Sequence, residues 1–198
     1  GRLTVDAYME QWFTTYCNRY EASTQQGYEN YIFNHINPYF AGFKLKYLKP
    51  IHIEEFYNSE RKKYKEKTIL QIHRILSSAL NDAVKNNLVT KNVCQLVKAP
   101  SPEPYEPHIP DLDHYFMIVE AARGTEHEIP VLLAGMCGLR RSEVFGITWN
   151  DINFEKATLT VRQAVVTIKK GLDKKNTKSR TSTRTISVPD DMLEVLRD

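Results

Sequence analysis

Cys137-Gly138-Leu139-Arg140-Arg141-Ser142-Glu143-Val144-Phe145-Gly146-Ile147-Thr148-Trp149-Asn150-Asp151-Ile152 is the run on which the reading of this chain turns. The apolar segment from Pro130 to Cys137 leads into it as a short helix. Gly138 ends that helix, because glycine takes the left-handed turn beyond a helix at little cost. Arg140 then falls at a helix–turn–helix junction, where its side chain reaches outward. Glu143 stands three residues on, within pairing distance on one helical turn. Taken alone, the run describes a surface arginine paired with a glutamate.

Downstream, the texture changes. Thr158-Leu159-Thr160-Val161 alternates and is β-branched, Val165 to Ile168 is strand-like, and so is Arg184-Thr185-Ile186-Ser187-Val188. The basic, polar Gly171 region is the expected turn. Pro189-Asp190-Asp191 opens a helix, with acids placed favourably in its first turn. From Lys156 to Arg184 nine basic residues face one acid, Asp173. Within that block, Lys178-Ser179-Arg180-Thr181-Ser182-Thr183-Arg184-Thr185-Ile186-Ser187-Val188-Pro189 reads as a basic hairpin running into a strand. Taken alone, it is a solvated turn rich in Ser and Thr.

Upstream, Leu112, Tyr115, Phe116, Val119 and Ala122 form a helical face that ends at Gly124. Before it, residues 99–110 hold Pro100, Pro102, Pro104, Pro107 and Pro110. Five prolines in twelve positions forbid a helix and predict a stiff, extended linker. Residues 1–98 read as an all-α domain of four or five helices. Val5, Met9, Trp12, Phe13 and Tyr16 make one face after Thr4. Ser23 and Gln26 have capping-box spacing, and the helix after them is expected to stop before Pro38. Pro50 suits the first turn of a helix through Ile53, Phe56 and Tyr57. Thr68 and Gln71 repeat the capping-box spacing. The helix they open buries Ile69, Ile72, Leu76, Leu80, Ala83 and Val84, and it ends at Asn86-Asn87.

The composition is that of an ordinary globular protein: 198 residues, 41% hydrophobic and 26% charged. Disorder and collagen-like repeats are excluded, and no apolar run approaches the roughly 18 residues of a membrane span. Cys17, Cys94 and Cys137 are far apart and lack metal-ligand spacing, which indicates a reducing compartment. No zinc motif, phosphate-binding glycine loop or Ser-His-Asp elbow is present. The net charge of +3 hides an uneven distribution. Residues 1–100 carry 14 Lys/Arg against nine Asp/Glu, and the remainder carries 13 against 15. The chain opens Gly-Arg-Leu and closes within the amphipathic pattern of Met192, Leu193, Val195 and Leu196, so both ends are expected to be internal to a longer protein.

In this order, after a proline-linked helical domain, the two segments resemble those of the tyrosine recombinases, the integrases of phages and conjugative transposons. The Gly-Leu-Arg-x-x-Glu run with Trp-x-Asp-Ile resembles the first catalytic arginine box. Lys-x-x-x-Ser-x-Arg-Thr-Ile resembles the lysine β-hairpin, with Lys178 or, one register away, Lys175 as its lysine. Ile72-His73-Arg74-Ile75-Leu76 and the Asn92…Val97-Lys98-Ala99-Pro100 exit resemble the core-site-binding domain.

The resemblance implies a mainly α fold with a small antiparallel sheet. Residues 1–98 become a SAM-like core-binding domain, 99–110 the linker, and 111–198 the start of an α+β catalytic domain. It implies cutting and rejoining of double-stranded DNA through a 3′-phosphotyrosyl link without ATP or metal. It further implies a homotetramer on two core sites and a cytoplasmic, nucleoid-associated place in a bacterium. Arg140 matches the first catalytic arginine, Lys178 the proton donor to the leaving 5′-oxygen, and Glu143 a supporting acid. DNA contacts are expected at Thr24, Gln25, Lys65, Lys67, Gln71, Arg74, Arg141, Lys174, Lys175, Arg180 and Arg184.

The departures are equally specific. No histidine is followed three residues later by arginine, and no tyrosine follows Tyr115. The second arginine box and the nucleophile are therefore not in this chain, which is expected to bind DNA without cutting it. The competing expectations are a DNA-binding protein that keeps the fold without the chemistry, and a helical interaction module with an incidental basic loop.

Overall fold

A computed structural model describes residues 3–169, 171–176 and 183–197. The chain divides into two compact units, Gly1–Glu106 and Pro107–Asp198, and the division falls inside the proline-rich stretch.

The first unit is all-helical: α1 (Val5–Tyr16), α2 (Ala22–Tyr31), α3 (Asn37–Phe40), α4 (Pro50–Arg61) and α5 (Glu66–Lys85). Thr4 caps α1, its hydroxyl accepting the Ala7 N–H at 3.4 Å. Pro50 occupies the first turn of α4, as its fixed φ and missing N–H favour. The stripe of α5 is buried as expected, with Ile75 and Ala79 added and Val84 half-buried. It packs on Val5, Met9 and Trp12 of α1 and on Ile53, Phe56 and Tyr57 of α4, all fully buried. Two buried hydrogen bonds tie α1 to α5 across the chain. Trp12 Nε1 donates to Asp82 Oδ2 at 2.9 Å, and the Tyr8 hydroxyl donates to the Ala79 carbonyl at 2.6 Å.

Three local expectations fail in this unit. The helix of Tyr28 and Tyr31 does not stop before Pro38. A π-turn, Ile32–Ile36, widens it, and the Asn37 N–H reaches back to the Ile32 carbonyl. The wider turn accommodates a proline that brings no N–H and needs room for its ring. Neither capping box opens its helix. α2 starts at Ala22 and α5 at Glu66, with Glu21 and Lys65 at the caps and no side-chain cap hydrogen bond. The Thr68 N–H already donates to the Lys65 carbonyl at 2.8 Å, so the first turn has formed before Thr68.

The second unit contains α6 (Leu112–Ala122), α7 (Glu128–Cys137), α8 (Arg141–Val144), β1 (Ile152–Asn153), β2 (Thr158–Val161), β3 (Gln163–Ile168), β4 (Gly171–Asn176), β5 (Arg184–Ser187) and α9 (Asp190–Arg197). An antiparallel sheet runs β1-β2-β5, with Leu159 opposite Ile186 and Val161 opposite Arg184. Leu159 and Val161 are fully buried and meet Leu132, Leu133, Leu139, Met192 and Leu196. The face expected on α6 is covered in part: Ala122 is buried and Tyr115 and Val119 half-buried, whereas Leu112 is 72% and Phe116 62% exposed.

β3 and β4 form a separate hairpin, with Ile168 opposite Gly171. The turn lies at the Gly171 region, as expected, and Gly171 itself has φ +115°, a conformation that L side chains rarely adopt. The next strand expected after this turn, Arg184 to Val188, pairs with β2 instead, over Arg184–Ser187. Gly171–Asn176 nevertheless pairs along the whole of β3, so the hairpin precedes the Lys178 segment.

At Gly146 the arginine box approaches this hairpin closely. A Cβ there would lie 2.6 Å from the Gln163 carbonyl oxygen, and the Gln163 amide donates to the Gly146 carbonyl at 2.8 Å. The obstacle is backbone and cannot swing away. Gly146→Ala is expected to cost about 1–3 kcal/mol, the usual range for overpacking. Thermal unfolding of the variant checks this, and an unchanged melting temperature would contradict it.

Candidate active site and nucleic-acid interface

The arginine box is built from its ends inward. Gly138 closes α7 in the left-handed conformation, φ 63° and ψ 30°, and its N–H donates to the Leu133 carbonyl. Leu139 turns into the core, 5% exposed. Arg140 is then extended, at the N-cap of α8, with its side chain 78% exposed. A buried anchor and an exposed head in successive residues hold the main chain still while the guanidinium stays open to solvent.

Glu143 is the buried partner, 4% exposed. Its Oε2 accepts the Arg140 backbone N–H at 2.8 Å, and its Oε1 accepts Arg140 Nη1 at 3.1 Å. Arg184, brought across from β5, donates Nη1 to Oε1 and Nη2 to Oε2, both at 2.9 Å. The Arg184 hydrogen bonds lead in holding the Glu143 carboxyl down at about 2. Burial opposes them, and the Arg140 N–H adds to them. The Trp-x-Asp-Ile part of the box is structural at its aspartate. Asp151 is buried and accepts the Thr148 N–H at 3.0 Å and the Thr148 hydroxyl at 2.7 Å.

The other expected positions divide. In the first unit, Lys67, Gln71 and Arg74 follow one another along one face of α5, with Lys67 and Arg74 exposed. Lys65, Lys67 and Gln71 line a shallow open cleft of about 430 Å³ with Tyr31, Lys63, Tyr64 and Thr68. Arg61, next to this cleft, is occupied by an ion pair with Glu66. Thr24 and Gln25 lie in the first turns of α2, where the Gln25 amide donates to the Tyr20 carbonyl at 2.7 Å. In the second unit, Arg141 is exposed on α8. Lys174 and Lys175 belong to β4, opposite Val165 and Ala164. Lys178 and Arg180 lie outside the described residues. Arg184 spends both arms of its fork on Glu143 rather than presenting them to solvent, a partnership that charge alone did not reveal.

Residues 4–60 match the family described as phage integrase, N-terminal SAM-like domain. A tyrosine recombinase XerC-like protein of Caldanaerobacter subterraneus subsp. tengcongensis is 32% identical over 188 residues, covering 86% of this chain and 48% of that protein. The chain is a relative of the tyrosine recombinases.

An integrase of Saccharopolyspora erythraea is 24% identical over 82% of this chain and 38% of its own length. Two solved structures share the fold of this tyrosine recombinase relative. One is the Tn1549 transposon integrase in complex with a circular intermediate DNA, at TM-score 0.81 and 18% identity over 98% of this chain and 64% of that one. The other is a lambda integrase dimer bound to a core site, at TM-score 0.75 and 18% identity over 93% and 49%. The recombinase relative spans about half the length of the curated proteins it matches. Among its described residues no helix is long and apolar enough to cross a membrane.

Proposed function

We propose that this chain supplies the core-site grip and the first part of the catalytic centre of a site-specific recombinase that integrates or excises a mobile element. One observation carries the reading: Arg140 is locked at its backbone by a buried carboxylate yet keeps its side chain 78% exposed, on a relative of the tyrosine recombinases. In this reading residues 1–98 are the core-site-binding domain, 99–110 the linker, and 111–198 the first part of the catalytic domain. The partner is duplex DNA, and the working assembly is a tetramer on two sites.

The chemistry follows from charge. A tyrosine hydroxyl attacks the scissile phosphorus, the bond from phosphorus to the 5′-oxygen breaks, and a 3′-phosphotyrosyl link forms. Negative charge grows on the non-bridging oxygens as this happens. Arg140 places fixed, planar N–H donors where that charge appears, and their geometry is set before the reaction begins. Lys178 is assigned as the donor of the proton that the departing 5′-oxygen takes up. No tyrosine follows Tyr115, so the attacking group is not among these 198 residues. On their own they bind and do not cut.

Two measurements test the reading. Binding to duplex DNA, followed by fluorescence anisotropy, weakens as salt rises. Lys67→Ala and Arg74→Ala are each expected to reduce the slope of log affinity against log salt by about one. Unchanged affinity and slope would remove these residues from the interface. On a nicked core-site duplex, the chain extended by its downstream sequence forms a covalent protein–DNA adduct that survives denaturation, and the 198 residues alone form none. An adduct from the 198 residues alone, or none from the extended chain, overturns the assignment.

A further inference from the structure

The Glu143 carboxylate is saturated by two arginines. A carboxylate offers about four lone-pair directions. Arg184 takes one on each oxygen at 2.9 Å, and Arg140 takes the other two with its backbone N–H and with Nη1. The two arginines contribute differently. Arg184 is two-thirds covered, its side chain 33% exposed, and both ends of its planar fork meet the acid. Arg140 gives one side-chain N–H and points the rest of its guanidinium at solvent.

We infer that Arg184 is a positioning residue for Arg140: by clamping the buried Glu143 carboxylate it holds both the main chain and the guanidinium of the phosphate-binding arginine in place, and it makes no DNA contact of its own. The inference rests on the proposed reading of Arg140 as a phosphate ligand. Its physical basis is the position of the acid. Glu143 is buried, and a carboxylate in that position stays charged only while cations and N–H donors satisfy it. Without Arg184, two of its four acceptor directions are empty. The acid then protonates more readily or turns, and a neutral carboxyl is a weaker acceptor for Arg140 than a carboxylate. A lysine at 184 restores the charge but presents a single point, so it holds one oxygen and leaves the plane of the carboxylate free. β5 thereby fixes the arginine box from 41 residues away in sequence.

The test uses the 198-residue protein and inorganic phosphate as the probe, followed through the Arg140 Nε resonance in nitrogen-15 spectra. Phosphate is expected to shift that resonance saturably in the wild type. Arg184→Gln is expected to raise the half-saturating phosphate concentration about fivefold or more, a usual size for coupling between sites. Arg184→Lys should recover only part of the loss. Glu143→Gln, which leaves Arg184 in place, should reproduce the effect. The Glu143 carboxyl, titrated by carbon-13 spectra, should move up from about 2 in Arg184→Gln. If phosphate does not move Arg140 in the wild type, the reading of Arg140 fails and the inference falls with it. If Arg140 responds equally in the wild type, Arg184→Gln and Arg184→Lys, the phosphate ligand stands and the positioning role is overturned. The same holds if Glu143→Gln weakens phosphate and Arg184→Gln does not.

Discussion

Arg140→Ala, made in the chain extended by its downstream sequence, is expected to slow strand cleavage by roughly a hundred- to a thousandfold, the loss that follows removal of one preorganised oxyanion donor. The side chain is 78% exposed and makes one hydrogen bond, to Glu143, so its removal leaves the fold intact. Melting temperature and DNA affinity should therefore stay close to wild type while the single-turnover cleavage rate collapses. Arg140→Lys should not restore the rate, because an ammonium cannot span two phosphate oxygens as the planar fork does. A parallel fall in rate and in affinity would make Arg140 an ordinary DNA contact. Cleavage at the wild-type rate would remove it from the chemistry.

The second large effect lies in the other unit and concerns stability. Trp12 is fully buried, and its indole N–H donates to Asp82 at 2.9 Å, an acid that is itself 8% exposed. Trp12→Ala empties the centre of the helical core and removes the indole N–H donor from Asp82, whose other oxygen keeps Lys85. A truncation of this kind costs about 3–5 kcal/mol. For a unit of this size each kcal/mol lowers the midpoint by roughly 4–8 °C, so a fall of more than about 12 °C is expected. Trp12→Phe separates the contributions, since it keeps most of the apolar volume and loses the N–H. Calorimetry that finds Trp12→Ala within a few degrees of wild type would show that the α1–α5 contact does not hold this unit together.

The elements legible in the sequence are those whose periodicity and punctuation agree. α5, with its repeating apolar stripe and the Asn86-Asn87 end, is the clearest, and α7 with Gly138 is another. What was not legible depended on distant residues. Ser23/Gln26 and Thr68/Gln71 have the right spacing for capping boxes, but such a cap is worth only about 1 kcal/mol. Both helices start before the boxes' first residues, at Ala22 and Glu66. Pro38 breaks a helix only when the helix has no way to widen, and the π-turn supplied one. Gly-Leu-Asp-Lys-Lys-Asn is a poor strand by composition, and it becomes β4 because β3 offers it a ladder. At the site, Arg140 and Glu143 were found together because they are three residues apart. Sequence alone makes Arg184 one more DNA-facing cation, because its acid lies 41 residues back in the chain.

The proline-rich stretch between the two units has a thermodynamic consequence. Residues 99–110 form neither helix nor strand, and a polyproline-like segment extends by about 3.1 Å per residue, so the tether reaches roughly 37 Å. That exceeds the width of a DNA duplex. In the proposed function, once one unit has bound DNA the other would search a small volume at an effective concentration that a free domain would rarely reach. Stiffness raises that concentration further when the tether length matches the span. If both units grip DNA as proposed, their two affinities would multiply, and lengthening the stretch with flexible glycine and serine is expected to weaken the joint hold while leaving each unit's own contacts unchanged.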